Sequence, residues 1–176
     1  MFVRPAFRAD LHDCFVLDSS YETNCVWQLD QREDEAGIAT ALRRVRLPRP
    51  MAVRYPPLGW DLLNRWEQGG GIFVAEVDGQ ARGCVDVGVH GDEKLGWVYN
   101  LVVDRAYRRR GLGTALLEAA VRWGQHRSVR RMMLAVQSKN HPSVQFCQKL
   151  GFGFCGFNDR YFANRDIALF FVGSVP

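Results

Sequence analysis

The chain predicts a mixed α/β domain built around a mostly antiparallel central sheet flanked by helices, and three observations carry that expectation. Apolar residues dominate Ile72 to Val77 and Arg82 to Val89, and between them lies Asp78-Gly79, a strong two-residue hairpin signal. After residue 111 the period changes: Leu112, Ala115, Leu116, Ala119, Ala120 and Trp123 recur at helical spacing. Met132, Leu134 and Val136 then alternate as in a strand. A short helix follows, with Pro142 at its start and Gly151 at its end.

Taken in order, Phe2 to Phe7 reads as a first strand and Asp10 to Leu17 as a helix with Leu11, Cys14 and Phe15 on one face. Two strand-like pieces, Cys25 to Leu29 and Ile38 to Leu47, flank an acidic loop at Arg32-Glu33-Asp34-Glu35. Prolines at 48, 50, 56 and 57 predict an irregular, extended segment, because proline lacks the N–H that a ladder needs. Trp60, Leu63 and Trp66 suggest a short helix, and Gly69-Gly70-Gly71 breaks the chain before the hairpin. A polar loop, His90 to Lys94, leads to a third strand, Trp97 to Val103, in which Tyr99 is expected on the face of Trp97, Leu101 and Val103. Asp166 to Val172 is the last buried strand.

At 176 residues the chain has the length of one domain, and no linker or repeat divides it. Hydrophobic content of 47% and charged content of 24% are ordinary globular values, so a real core is expected. The net charge of +4 is mild and suits a small anionic ligand at least as well as nucleic acid, whose binding domains usually show a denser basic face. The arginines at 43, 44, 46, 49 and 54 are the one feature that favours nucleic acid, and a solvated strand face accounts for them equally well. No polybasic amphipathic helix points to a membrane surface. The five cysteines are odd in number and form no C-x-x-C pair, which argues for reduced thiols in a cytoplasmic protein without a metal. Met1 to Pro5 has no signal-peptide layout.

The stretch Tyr107-Arg108-Arg109-Arg110-Gly111-Leu112-Gly113-Thr114 joins an apolar strand to a helix. The first N–H groups of a helix have no partner inside it, and the helix dipole favours negative charge there. Two glycines permit close backbone approach, and three arginines add positive charge. This is a phosphate trap. It is not the G-x-G-x-x-G turn of a dinucleotide fold, which needs a βαβ unit and a later acidic residue.

Arg108-Arg109-Arg110-Gly111-Leu112-Gly113, followed by a strand, Asn140 and a helix ending in Gly151-Phe152, resembles the GNAT superfamily of acyl-CoA N-acyltransferases from about Ile72 to Phe152. The resemblance implies a GNAT-like fold with acetyl-CoA as co-substrate. It implies that the backbone of Leu101, Val102 and Val103 carries the pantetheine arm. Arg108, Arg109, Arg110, Gly111, Leu112, Gly113 and Thr114 would hold the pyrophosphate, and Asn140 would touch the pantetheine or the thioester region. It also implies a sheet that splays between Trp97–Val103 and Arg131–Val136, with a backbone N–H stabilising charge on the thioester carbonyl.

Transfer to an amine needs a base for the amine and a proton for the departing thiolate. Family members often use a Glu on one splayed strand and a Tyr seven residues after the Asn. Here Tyr99 and Ala135 stand at the Glu positions and Cys147 at the Tyr position. The catalytic candidates are Asp86, an acid in mid-strand, Tyr99 and Cys147. For Cys147 a small buried hydrophobe is the competing expectation. Trp27 and Tyr161 are candidate acceptor-binding residues, with Tyr21, Glu22, Tyr55 and Trp60 near them in the same third of the chain or its late loops. Phe152, Gly156-Phe157, Tyr161 and Asp166 to Phe171, with Asp86, loosely resemble the streptothricin-type acetyltransferases. The expected activity is transfer from acetyl-CoA to a small-molecule primary amine in a ternary complex, by a monomer or homodimer. The alternatives are a degenerate acyl-CoA-binding module and a protein N-terminal or lysine acetyltransferase.

Overall fold

Asp78 and Gly79 both adopt positive φ, 53° and 76°, the backbone twist that a tight two-residue hairpin requires. They join β4 (Gly71–Val77) to β5 (Gln80–His90), and β6 (Leu95–Val103) completes the expected antiparallel meander. The structure, a computed structural model, describes residues 1–54, 61–90 and 94–176. The remaining elements are β1 (Phe2–Pro5), α1 (Asp10–Val16), β2 (Tyr21–Asp34), β3 (Gly37–Val53), α2 (Asp61–Glu67), α3 (Leu112–Gln125), β7 (Arg131–Gln137), α4 (His141–Lys149), β8 (Gly153–Asn158) and β9 (Ala168–Ser174).

Among the described residues, seven strands form one sheet in the order β1-β4-β5-β6-β7-β9-β8. Every pairing is antiparallel except β6 with β7, which the crossover through α3 makes parallel. One face of the sheet packs Val85, Val87, Val98, Leu134, Leu169 and Phe171 against α3 and α4. The other packs Val74, Cys84 and Val102 against Leu11 and Cys14 of α1 and Leu62 of α2. Apolar burial on both faces explains why β4 and β5 read as nearly continuous apolar runs rather than alternating ones.

Several expectations need correction. The acidic run is not a loop: β2 continues through Asp34, and the chain turns at Glu35 and Ala36, where the Asp34 Oδ1 accepts from the Ala36 N–H at 2.8 Å. Pro48 and Pro50 lie inside β3. They sit where the ladder jumps from Thr23↔Met51 to Cys25↔Arg46, so their missing N–H groups interrupt no pairing. Strand β8 was not predicted; its glycines, at 153 and 156, weaken the strand signal. Asp166 precedes the last strand, which begins at Ala168.

The face assigned to Tyr99 also changes. Asp86 pairs with Asn100 and Val87 with Val98, which leaves Tyr99 as the extra residue of a β-bulge. Leu101 and Val103 pack into the α3 side, while Tyr99 lies on the opposite side with Trp97. Its ring covers Gly88, where a Cβ would come within 2.9 Å of Tyr99 Cε2. Tyr55, Pro56, Pro57 and Trp60, and most of the loop from His90 to Lys94, fall outside the described residues.

Candidate active site

The bulge stands beside a parting of the sheet. β6 and β7 pair only from Leu95↔Arg131 to Val98↔Leu134. Beyond that, Leu101, Val102 and Val103 remain paired with Val85, Cys84 and Gly83 of β5, and their other edge faces the opening. A strand edge of this kind offers backbone donors and acceptors to an extended ligand.

The glycine turn closes one end of the opening. Gly111 is the N-cap of α3 with φ 88°, a left-handed conformation that favours glycine, and it brings no side chain to cap the helix. The first bond within the helix runs from the Ala115 N–H to the Gly111 carbonyl at 3.0 Å. The N–H groups of Leu112, Gly113 and Thr114 precede it and have no intrahelical acceptor. Arg109 also has positive φ, 64°, and is exposed; the Arg110 guanidinium lies 5.2 Å from the centre of the Tyr107 ring.

Arg108 departs from its expected place. Its guanidinium donates to the carbonyls of Val103 at 2.9 Å, Ser20 at 2.5 Å and Asp18 at 2.8 Å. The side chain therefore fixes the turn to the α1–β2 connection and has little capacity left for a phosphate. Asn140 is the N-cap of α4: its Oδ1 accepts from the Ser143 N–H at 3.1 Å. That leaves its amide NH₂ as the group able to reach a ligand.

On the far side of the sheet, Asp86 is fully buried. Its Oδ2 accepts from Arg65 Nε at 2.7 Å and Arg65 Nη2 at 2.5 Å, and from Asn100 Nδ2 at 3.1 Å. Its Oδ1 has no partner among the described residues. Burial pushes the carboxyl above the usual range, and the Arg65 and Asn100 contacts pull it back in part. The same Arg65 guanidinium lies 4.6 Å from the centre of the Tyr99 ring. Trp97 meets Phe170 edge-on at 5.8 Å, and Phe170 meets Tyr161 at 5.5 Å. Burial, and the nearby Tyr99, raise the Tyr161 hydroxyl above its ordinary pKa.

The structure thus gathers Asp86, Tyr99 and Tyr161 on one side, and it sets apart the other two candidates. Cys147, 1% exposed, belongs to the core with Val144 and Phe152, and burial pushes its thiol up to about 12. The helical spacing that puts it beside Val144 turns it inward, which corrects its expected role as a proton donor. Trp27 lies at the N-terminus of α4 instead of beside Tyr161. Its N–H donates to the Ser138 carbonyl at 2.8 Å, and its ring Nε1 donates to His141 Nδ1 at 3.3 Å.

Arg65 and Asn100 escaped the sequence reading, although a buried mid-strand acid requires partners and Asn100 is a polar residue in an apolar strand. A second polar network, at the C-terminal end of β7, was missed as well. Tyr21 Oη donates to Gln137 Oε1 at 2.9 Å, and Gln137 Nε2 donates to Asp166 Oδ2 at 3.1 Å. Asn164 Nδ2 at 2.8 Å and Lys139 Nζ at 2.5 Å complete the shell of Asp166. No group of three or more metal-ligating side chains gathers among the described residues, and none of their helices is long and apolar enough to cross a membrane.

A sheet that parts between two parallel strands, with an uncapped helix N-terminus at the opening, defines a domain that can lay an extended phosphate-bearing ligand along a strand edge. The profile of the acetyltransferase (GNAT) family matches residues 39–152, and the chain belongs to that family. It is 26% identical to the streptothricin acetyltransferase of Streptomyces lavendulae over 147 residues, 81% of this chain and 76% of that protein. It is 35% identical to the mycothiol acetyltransferase of Amycolatopsis mediterranei over 99 residues, 52% of this chain. The match spans only 33% of that relative's length. A crystal structure of nourseothricin acetyltransferase superposes with a TM-score of 0.84 at 23% identity, over 99% of this chain and 98% of that one, a likeness of fold.

Proposed function

We propose that the chain is a single GNAT-like acetyltransferase domain over residues 1–176, with its acyl-CoA-binding core at about 72–152, that moves an acetyl group from acetyl-CoA to a primary amine of a small molecule. The observation that carries this reading is the parting of β6 from β7, with an open helix N-terminus on one side and the buried Asp86 cluster on the other. Acetyl-CoA, when bound, supplies the acetyl group as an activated thioester. The residues present suit it: N–H groups at 112–114 for the pyrophosphate, helped by Arg109 and Arg110, and the edge of Leu101–Val103 for the pantetheine arm. Asn140 offers its amide to the same arm.

The acceptor side suits a cationic amine. Trp97, Tyr99, Phe170 and Tyr161 provide aromatic faces, and Asp86 provides negative charge beside them. Asp86 Oδ1 is the atom that takes the amine proton, directly or through a water, because Oδ2 is held by Arg65 and Asn100. A carboxyl raised by burial is a better base than an ordinary one. The streptothricin and mycothiol acetyltransferases among the relatives support a small-molecule acceptor. A CoA-release assay against a panel of polyamines, aminoglycoside-type amines and streptothricin tests this, with turnover expected for at least one cationic amine. Tight CoA binding without release for any amine would sink it. That result would instead favour a CoA-binding module without transfer, a reading to which the buried Cys147 lends support.

A further inference from the structure

The long β2–β3 ribbon lies against α4, and between them is a hollow of about 530 Å³ that the proposed reaction does not use. It is lined by Asn24, Cys25, Arg44, Arg46, His141 and Gln145. None of these residues belongs to the glycine turn or to the Leu101–Val103 edge. Arg44 and Arg46 stand two apart in β3 and so point to one face of the ribbon, the face on which Leu42 packs against the core. His141 and Gln145 stand four apart on α4 and share a face; Phe146, which meets Gly113 of the donor turn, lies on another.

We propose that this hollow is an anion site that takes a phosphate monoester. Its lining is rich in donors and, among the described residues, contains no carboxylate. Neither Arg44 nor Arg46 has a carboxylate partner there, in contrast to Arg43, which is paired with Asp30 on the opposite face. The imidazole of His141 is buried, and its Nδ1 is occupied by the Trp27 indole N–H. The neutral ring must then carry its proton on Nε2, the nitrogen left for a ligand. Two guanidinium forks and an imidazole N–H suit the three terminal oxygens of a phosphate monoester better than the two of a carboxylate. The volume leaves room for the group that bears the phosphate. That group is either the nucleotide end of the acyl donor, whose ribose carries a 3′-phosphate, or a separate phosphorylated metabolite.

Titration calorimetry of the full chain with inorganic phosphate, with acetate as the control anion, tests the site. A double variant, Arg44→Ala with Arg46→Ala, is compared with Arg49→Ala, an exposed arginine of the same ribbon outside the hollow. Wild type and R49A are expected to bind phosphate alike and in preference to acetate, and the double variant about tenfold more weakly or worse. The imidazole NMR signal of His141 is expected to shift with phosphate in wild type only. Equal phosphate binding by wild type and the double variant, or an equal loss in R49A, would overturn the proposal. Comparing CoA with dephospho-CoA then identifies the source. A preference for CoA that the double variant abolishes supports the donor's 3′-phosphate, and equal affinity for the two, with phosphate binding intact, supports a separate phosphorylated ligand. Absence of acetyl transfer to amines would not bear on these binding results.

Discussion

Asp86 carries the sharpest single-residue expectation. Replacing it with Asn keeps the shape and removes the base, so kcat is expected to fall about 100-fold while CoA affinity stays unchanged. Steady-state kinetics beside a CoA titration read both quantities; a kcat within about threefold of wild type would exclude Asp86 as the base. Cys147 should behave in the opposite way. Its thiol is buried and pushed up to about 12, so Cys147→Ala should lower the melting temperature through lost packing and leave kcat nearly unchanged. A tenfold loss of kcat without a loss of stability would return the thiol to the proton path.

At the scale of elements, the glycine turn, the meander and α4 were legible because each rests on local signals: Asp78-Gly79, Gly111, Pro142 and Gly151. What stayed hidden depends on pairing. The ribbon is stabilised by its cross-strand ladder and by Trp27 and Leu42 on the core, so its length does not show in short windows of sequence. The side chain of Arg108 was misplaced for a similar reason, since two of the three carbonyls that hold it belong to a segment 88 to 90 residues earlier. The network at the end of β7 is equally non-local, joining Tyr21 to Gln137 across 116 residues. Asp166→Ala would leave buried Gln137 Nε2 without its acceptor and Lys139 without its carboxylate. The orphaned Gln137 amide, fully buried, costs about 1–3 kcal/mol, while the exposed Lys139 ammonium is rehydrated, so unfolding by urea is expected at clearly lower concentration with an unchanged slope. An unshifted midpoint would mean that the network is replaced by water at no cost.

For the whole molecule, acid is the informative stress. Asp10 accepts from Arg4 at 2.6 and 2.9 Å and from the Phe7 N–H at 2.7 Å, which binds β1 to the start of α1. The Arg4 contact holds its carboxyl below the ordinary 3.8. Between that lowered value and 3.8 the unfolded chain binds more protons than the folded one, so stability falls as pH falls. Asp86 works in reverse. Its carboxyl is raised, so from that value down to 3.8 the folded chain binds the extra proton and gains stability as pH falls. Thermal melts from pH 7 to pH 2.5 should therefore decline more gently below pH 3.8 in Asp10→Asn than in wild type. Parallel profiles would show that the Arg4–Asp10 pair contributes nothing to acid sensitivity.

The extra residue at Tyr99 has a consequence for how this domain can vary. Odd and even positions of β6 exchange sides there, so Tyr99 and Asn100, neighbours in the chain, both lie on the side of Asp86 and Arg65, while Leu101 and Val103 keep the parity that the core demands. The strand is in effect two strands out of phase, and on the function proposed above one half would face the amine acceptor and the other would carry the acyl donor. Substitutions before the slip can retune the recipient without disturbing the carrier. Removing Tyr99 would set Val98 and Asn100 opposite Val87 and Asp86 as consecutive pairs of a regular ladder, so every other side chain of β6 would keep its side and the loss would fall on the aromatic ring over Arg65 alone.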